Sequence, residues 1–434
     1  MIRVAVAVLV LAWWLPQVVA AAPAPAVTRR VLANGMKVLV REDPSSEVVA
    51  VSLQVRGGSL FETADTAGIT NLMARVMVRG TPRRNALQLA QWVEDLGGTL
   101  EASGEAETAE IRGAALARHW EALLAEIADV ALRPTLPPAE IATERALVLS
   151  QIQTRADTPF PRAVDTVMAD LYGRHPYARH ALGRAESVRT FTREALLAHH
   201  AALYRPERLV LAISGNVTAR QAIGSAERLF GRLAASGATP ALEIAAPTPR
   251  LDARTVEAPA AQAQVLVAYL GPSSMDADYA AVRVLSAVLG GGMSGRLFLE
   301  LRERRGLAYS VSALSSYRTG PGYVLAYLGT APANATTAVS GVLGEVARVR
   351  TEPVSEHEVE RAKAYLLGTL AMDRRTNARH AWYMAFFEVA GAGWEWVDRY
   401  ARALRAVTAE DVARAARRYL REPTVVVLRP GGGS

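Results

Sequence analysis

The apolar residues of this chain follow two periods that interleave along its length, alternation in short runs and helical spacing in longer ones. Arg30 to Val40 alternates around Asn34-Gly35, the dipeptide of a tight hairpin turn, and predicts two paired strands. Val48 to Val55 predicts a longer strand. Ile69, Leu72, Met73 and Val76 fall on one stripe of a helix that stops at Gly80, and Asn85 to Leu96 predicts a second helix ending at Gly97-Gly98. Thr99 to Ala114 carries two more strand-like runs. Trp120, Leu123, Leu124, Ile127 and Val130 form the apolar stripe of a helix over Leu116 to Leu132, closed by Pro134 and Pro137-Pro138. A long helix begins over Ala139 to Thr154, Glu194 to Tyr204 predicts another, and Arg208 to Ser214 is an apolar strand.

The second half replays the first. Val265 to Gly271 predicts a strand, Tyr279 to Leu289 a helix, Val311 to Ser316 a strand and Asn334 to Val349 a long amphipathic helix. Glu144-Arg145 stands 60 residues before Tyr204-Arg-Pro-Glu-Arg-Leu-Val-Leu, and Glu360-Arg361 stands 59 before Tyr419-Leu-Arg-Glu-Pro-Thr-Val-Val. These two landmarks indicate an internal duplication. The elements mix strand pairs with long helices and lack strict strand-helix alternation, so the fold class expected is α+β, with a mainly antiparallel sheet in each of two related domains.

Half of the 434 residues are hydrophobic and 21% are charged, which supports packed cores and excludes a disordered chain. Met1-Ile2-Arg3, the apolar run Val4 to Leu15 and the small-x-small pattern Val18-Val19-Ala20 read together as a secretory signal. The alternative, an uncleaved membrane anchor, needs about 20 apolar residues, and Pro16 interrupts this run. The expected division is a signal over 1–20, a tether over 21–27, an N-terminal domain over 28–232, a linker rich in Ala, Ser, Gly, Thr and Pro over 233–248, and a C-terminal domain over 249–430. The chain has no cysteine, which excludes thiolate metal sites, thiol nucleophiles and disulfides. A disulfide-free exported chain must be held by its cores, and the exported setting with no later long apolar segment suggests a bacterial periplasm. The net charge of +7 comes from arginines scattered through helical stretches. No dense basic run interleaved with aromatics suggests nucleic acid as a partner, and no later apolar stretch suggests a membrane span.

Asn71, Ala74 and Arg75 lie one turn apart on the helix after Gly68, which closes on Arg79-Gly80-Thr81. This segment resembles the one that carries the inverted zinc motif, His-x-x-Glu-His, in the insulinase-like (pitrilysin, M16) metallopeptidases. Aligned through Gly80-Thr81, Asn71 replaces the first histidine, Ala74 the glutamate base and Arg75 the second histidine. The family's third ligand, a glutamate at the eighth position of a pattern beginning Glu-Arg, is replaced by Gln151 in Glu144-Arg-Ala-Leu-Val-Leu-Ser-Gln151. The chemistry agrees. Zinc takes neutral imidazole, thiolate or carboxylate ligands, whereas Arg75 is permanently cationic and Ala74 accepts no proton. No metal and no catalytic residue is expected in this chain. The plain reading of Asn71 and Arg75 is an ordinary solvated helix face.

Leu289-Gly290-Gly291-Gly292-Met-Ser-Gly295 is a glycine-rich loop before a helix bearing Arg302, which stops at Gly306 ahead of a strand with Tyr309. In the family the corresponding Arg and Tyr, seven positions apart, bind substrate near the scissile carbonyl. The resemblance therefore implies substrate-binding roles for Arg302, Tyr309 and the backbone at Gly290, Gly291 and Gly292. The plain alternative is that Arg302 sits on a solvated helix and Tyr309 at a core edge. Gly290-x-Gly292-x-x-Gly295 also fits the dinucleotide fingerprint, but a helical pattern precedes it where that site needs a strand. Surface or capping roles are expected for all seven histidines, His119, His175, His180, His199, His200, His357 and His380. Trp382, Tyr383, Phe386 and Phe387 read as a core or interface patch.

The resemblance implies two duplicated M16-type domains of the LuxS/MPP-like metallohydrolase kind. It also implies a non-catalytic subunit that supplies Arg302 and Tyr309 to a partner bearing the zinc ion. Hydrolysis of a bound peptide would then belong to the pair. The rival is a purely structural or assembly protein of the same fold with no part in proteolysis.

Overall fold

The computed structural model describes residues 26–235 and 244–431. The expected signal, most of the expected tether and the middle of the expected linker lie outside the described residues. Strands β1 (Val27–Val31) and β2 (Lys37–Glu42) form the hairpin around Asn34-Gly35, and Gly35 takes a φ of 91° there. They are followed by β3 (Val48–Arg56), α1 (Ile69–Met77), α2 (Ala86–Asp95), β4 (Thr99–Gly104), β5 (Thr108–Leu116), α3 (Trp120–Leu132) and α4 (Pro138–Asp157). Next come α5 (Pro159–Tyr172), α6 (Ala185–Thr190), α7 (Arg193–Leu203), β6 (Leu209–Gly215) and α8 (Ala219–Phe230). The second half holds β7 (Arg254–Ala258), β8 (Ala263–Gly271), α9 (Tyr279–Gly290), a π-helix over Phe298–Arg304, β9 (Ser310–Ser315) and β10 (Gly322–Thr330). It ends with α10 (Ala335–Thr351), α11 (Glu356–Asp373), α12 (Asn377–Val389), α13 (Trp396–Ala406), α14 (Ala409–Tyr419) and β11 (Thr424–Pro430).

The duplication is explicit in the sheets. One has the order β1-β2-β6-β3-β5-β4 and the other β7-β11-β8-β10-β9, so that strand for strand β7 matches β2, β11 matches β6, and β8, β10 and β9 match β3, β5 and β4. Each sheet is antiparallel except for one parallel pair, β2 with β6 and β7 with β11, at equivalent places. The N-terminal sheet differs by the extra edge strand β1.

One face of each sheet is covered locally. Val49, Val51, Leu53 and Val55 of β3 pack with Leu72, Met73 and Val76 of α1 and with Leu123, Leu124 and Ile127 of α3. In the second half Val265 and Val267 pack with α9 and α10. The opposite faces are covered by exchange. Helix α5 of the first half buries Ala163, Val167, Leu171 and Tyr172 against Leu266, Ala268, Val426 and Leu428 of the C-terminal sheet. Its counterpart α12 buries Ala381, Met384, Ala385 and Val389 against Leu39, Val210 and Ala212 of the N-terminal sheet.

Polar bonds fix both ends of α12. Asn377 donates to Val48 O at 3.0 Å and meets Ser214 Oγ at 2.8 Å, while Glu388 pairs with Arg29 at 3.0 Å and Lys37 at 3.1 Å. On α5, Tyr172 donates to Pro321 O at 2.8 Å and Asp170 pairs with Arg254 at 3.0 Å. The pattern of apolar positions does not announce α5, because the helix opens on Pro159-Phe160-Pro161; proline is tolerated in a first turn, whose N–H groups have no intrahelical partner.

Because each sheet needs a helix from the other half, the chain is expected to unfold as one unit. Met384→Asp, which buries an unpaired charge, should cost roughly 3 kcal/mol or more and lower a single calorimetric transition. Loss of hydrogen-exchange protection in the N-terminal sheet alone would show that the halves are independent.

Candidate functional site

Helix α1 is held at its N-terminus by a carboxylate from outside the helix. Glu62 accepts from the backbone N–H of Gly68 at 2.8 Å and of Thr70 at 2.9 Å, where a negative charge complements the helix dipole. Burial nonetheless raises the Glu62 pKa above its ordinary value. Gly68 has a φ of 97°, and a Cβ there would lie 2.5 Å from Leu182 O, so the position requires glycine.

Of the four positions singled out on α1 and α4, two meet directly. Arg75 Nη1 donates to Gln151 Oε1 at 2.8 Å, and Arg75 Nε lies 3.3 Å from Glu144 Oε2. Asn71 Nδ2 donates to Gly104 O at 3.3 Å, at the end of β4. This is not the solvated face expected for Asn71 and Arg75. Ala74 has 0% of its surface exposed, and Arg75 is drawn inward by Glu144, whose side chain is 3% exposed. Arg79 pairs with the same carboxylate at 2.7 Å. Two guanidiniums thus share one buried carboxylate, which removes most of the cost of burying it.

The donor set does not fit a zinc ion. An arginine bonded to Gln151 and Glu144 lies at the ligand position, and a divalent ion about 4 Å from it would meet several kcal/mol of repulsion at an effective dielectric of about 20. Among the described residues no group of three or more His, Cys, Asp or Glu is arranged to hold a metal.

In the other half, the glycine-rich loop is clamped to α11. Arg296 forms a two-point fork with Glu358 at 2.7 and 3.0 Å, and Arg361 donates to Ser294 O at 2.9 Å. Gly290 is buried, and a Cβ on it would fall 2.0 Å from Ala313 N, so its missing side chain lets α9 abut β9. That packing role accounts for Gly290 without a ligand. Gly292, with a φ of 80°, is exposed beside Met293. Arg302 lies on the π-helix, exposed, with its guanidinium 5.0 Å from the Phe298 ring centroid and in no ion pair among the described residues. Tyr309 immediately precedes β9, donates its backbone N–H to Gly329 O at 2.9 Å, and leaves its side chain 62% exposed. An exposed guanidinium and an exposed phenol can each donate to a peptide carbonyl or a developing oxyanion.

Residues 37–185 match the family model "Insulinase (Peptidase family M16)" and residues 190–366 match "Peptidase M16 inactive domain". An uncharacterized zinc protease of Mycobacterium bovis is 31% identical over 422 residues, covering 95% of this chain and 95% of that protein. The chain belongs to peptidase family M16. An uncharacterized zinc protease of Bacillus subtilis is 26% identical over 401 residues, 92% of this chain and 97% of its own. A solved peptidase M16 inactive domain from Pseudomonas fluorescens superposes with a TM-score of 0.86 at 25% identity, over 94% of this chain and 99% of that one. A protease from Helicobacter pylori has the same fold, with a TM-score of 0.86 at 19% identity over 94% and 100%.

The histidines of this M16 protein were expected in surface or capping roles. His175 caps, accepting the Tyr177 N–H through Nδ1 at 3.0 Å, but does so while 2% exposed. His199 meets Thr70 Oγ1 at 2.9 Å, and burial lowers its pKa to about 4. His200 meets Ala131 O at 2.8 Å. The aromatic patch has two partners. Tyr383, Phe386 and Phe387 enter the C-terminal core, with Phe387 stacked on Trp396 at 3.8 Å, while the other face of α12 meets the N-terminal sheet. Glu144 and Arg79 were legible as site residues only by spacing: Glu144 stands two helical turns before Gln151, and Arg79 one turn after Arg75.

The Arg296–Glu358 fork holds the Glu358 carboxyl down to about 2, from an ordinary 4.5. Its contribution should be complete above about pH 4.5 and lost as the pH falls through about 2. Glu358→Gln is expected to cost roughly 2 kcal/mol at pH 7, measured by denaturant unfolding, and to flatten the acid limb of the stability profile.

Proposed function

We propose that this M16 protein is the non-catalytic, substrate-binding subunit of a paired peptidase whose zinc ion and glutamate base belong to a separate subunit. The observation that carries the reading is the Arg75–Gln151 bond at 2.8 Å, with Ala74 buried beside it, where hydrolytic members of the family need ligands and a base. The relatives named as zinc proteases set the expectation of hydrolysis for the family, and the partner would supply the activated water. This chain would contribute Arg302 and Tyr309, the exposed donors on the opposite half, to orient a peptide and hold charge on its carbonyl. The N-terminal signal pattern supports a bacterial periplasmic setting for such a pair. Among the described residues no helix is long and apolar enough to cross a membrane.

Reconstitution tests the reading. The purified chain is expected to cut no peptide, and addition of a zinc-bearing M16 partner to restore cutting. In the pair, Tyr309→Phe and Arg302→Ala should each lower kcat by about tenfold or more with little change in melting temperature, because both side chains are exposed. Unchanged turnover in both variants would favour a purely structural or assembly role.

A further inference from the structure

A cavity of about 340 Å³ lies between the two halves, where α12 meets the first hairpin. Strands β1 and β2 wall it from the first half, and α12, the start of α13 and the residue after α11 wall it from the second. Its volume falls in the range of small-ligand sites. Both halves are needed to make it. Val27, Met384, Trp394 and Val397 give it an apolar lining, and Arg41, Arg374, His380 and Asp398 give it a polar one.

The polar lining holds unspent donors. Arg41 gives Nη1 to Asp43 at 2.9 Å, to Ser214 at 3.3 Å and to Asn377 at 3.0 Å, which leaves Nε and Nη2 without a partner among the described residues. Arg374 gives Nη1 to Asp398 at 3.0 Å, and its Nε is buried with no acceptor among the described residues. A buried donor without an acceptor carries a desolvation cost that an acceptor in the cavity would remove. The Nε/Nη2 edge of a guanidinium is also the two-point fork that matches a carboxylate.

The sign of the field agrees. The side chains of Arg41 and Arg374 are 13% and 29% exposed and that of Asp398 is 55% exposed, so the cations stand deeper than the acid. Burial first, then the charges of Arg41 and Arg374, lower the His380 pKa to about 4, and the opposing pull of Asp43 is smaller. Tyr383, also in the wall, donates its hydroxyl to Asp373 at 2.6 Å, and Arg379 already pairs with that carboxylate at 2.7 Å. Asp43 and Asp398 balance the two guanidiniums in part, so one negative charge fits the cavity better than the two of a phosphate.

We infer that this cavity binds a small organic carboxylate, its charged head on the free edge of Arg374 beside Arg41 and its apolar body against Val27, Met384, Trp394 and Val397. Because the walls come from both halves, such a ligand ties the first hairpin to α12 and α13. The site shares no residue with the Arg75–Gln151 pair or with Arg302 and Tyr309, and it stands whether or not a catalytic partner exists.

The test uses the full chain with 3-phenylpropionate and its neutral isostere 3-phenylpropionamide, titrated by calorimetry. The acid is expected to bind about tenfold tighter than the amide and to raise the melting temperature as it fills the site. Arg374→Gln should abolish that preference. Asp398→Asn, an exposed change that frees Arg374 Nη1, should tighten the acid about threefold and leave the amide unchanged. Equal binding of acid and amide, binding of neither, retention of the preference in Arg374→Gln, no gain in Asp398→Asn, or displacement of the acid by inorganic phosphate at lower concentration than by unlabelled acid would each overturn the assignment.

Discussion

Each sheet of this protein is apolar on both faces, and one face of each must be covered from outside its own half. The exchange of α5 and α12 meets that constraint, and most of the architecture follows from it. The outer face of each sheet becomes an interface, so a face that would otherwise invite aggregation is buried against the other half of the same chain. The polar bonds at the two ends of α12, from Asn377 and Glu388, fix the register of that packing. With α12 also feeding Phe387 into the C-terminal core, one helix contributes to two cores. Positions on the two halves are thereby held in fixed relation, as the proposed substrate-binding role requires.

Charge balance explains the arrangement around Arg75. An arginine close to a buried carboxylate is tolerable only when the carboxylate is satisfied, and Glu144 is satisfied twice, by Arg75 and by Arg79. Gln151 accepts a further bond from Arg75, where an ionised carboxylate would bring a second negative charge. Arg75, Arg79, Glu144 and Gln151 thus form one polar cluster, with Asn71 bonded separately to Gly104 O. Arg75 and Arg79 also line a cavity beside α1.

Much of this was legible in the residues. Asn34-Gly35 marked a hairpin, Gly80 and Gly97 marked helix ends, and the Glu144 and Glu360 landmarks marked the repeat, because turns and stops depend on local backbone preference. The family pattern named Arg75 and Gln151 separately, and the bond between them emerged only from the placement of α1 beside α4. The role of Gly290 was not legible. A loop of glycines reads the same whether it admits a ligand or a neighbouring strand, and here β9 takes that space. Helix α5 was hidden by its prolines, and the burial of His175 and His199 by the fact that a polar residue's solvent access depends on distant segments.

The sequence by itself determined the α+β class, the duplication and the absence of a zinc ligand set on α1, since periodicity, repeat spacing and side-chain chemistry are local or nearly local properties. Only the tertiary structure decided that the two repeats trade helices, that Glu144 binds two arginines, and that a cavity opens where α12 meets the first hairpin. Each of those depends on which surfaces meet across long separations in the chain, and an apolar stripe states that it must be buried without stating against what.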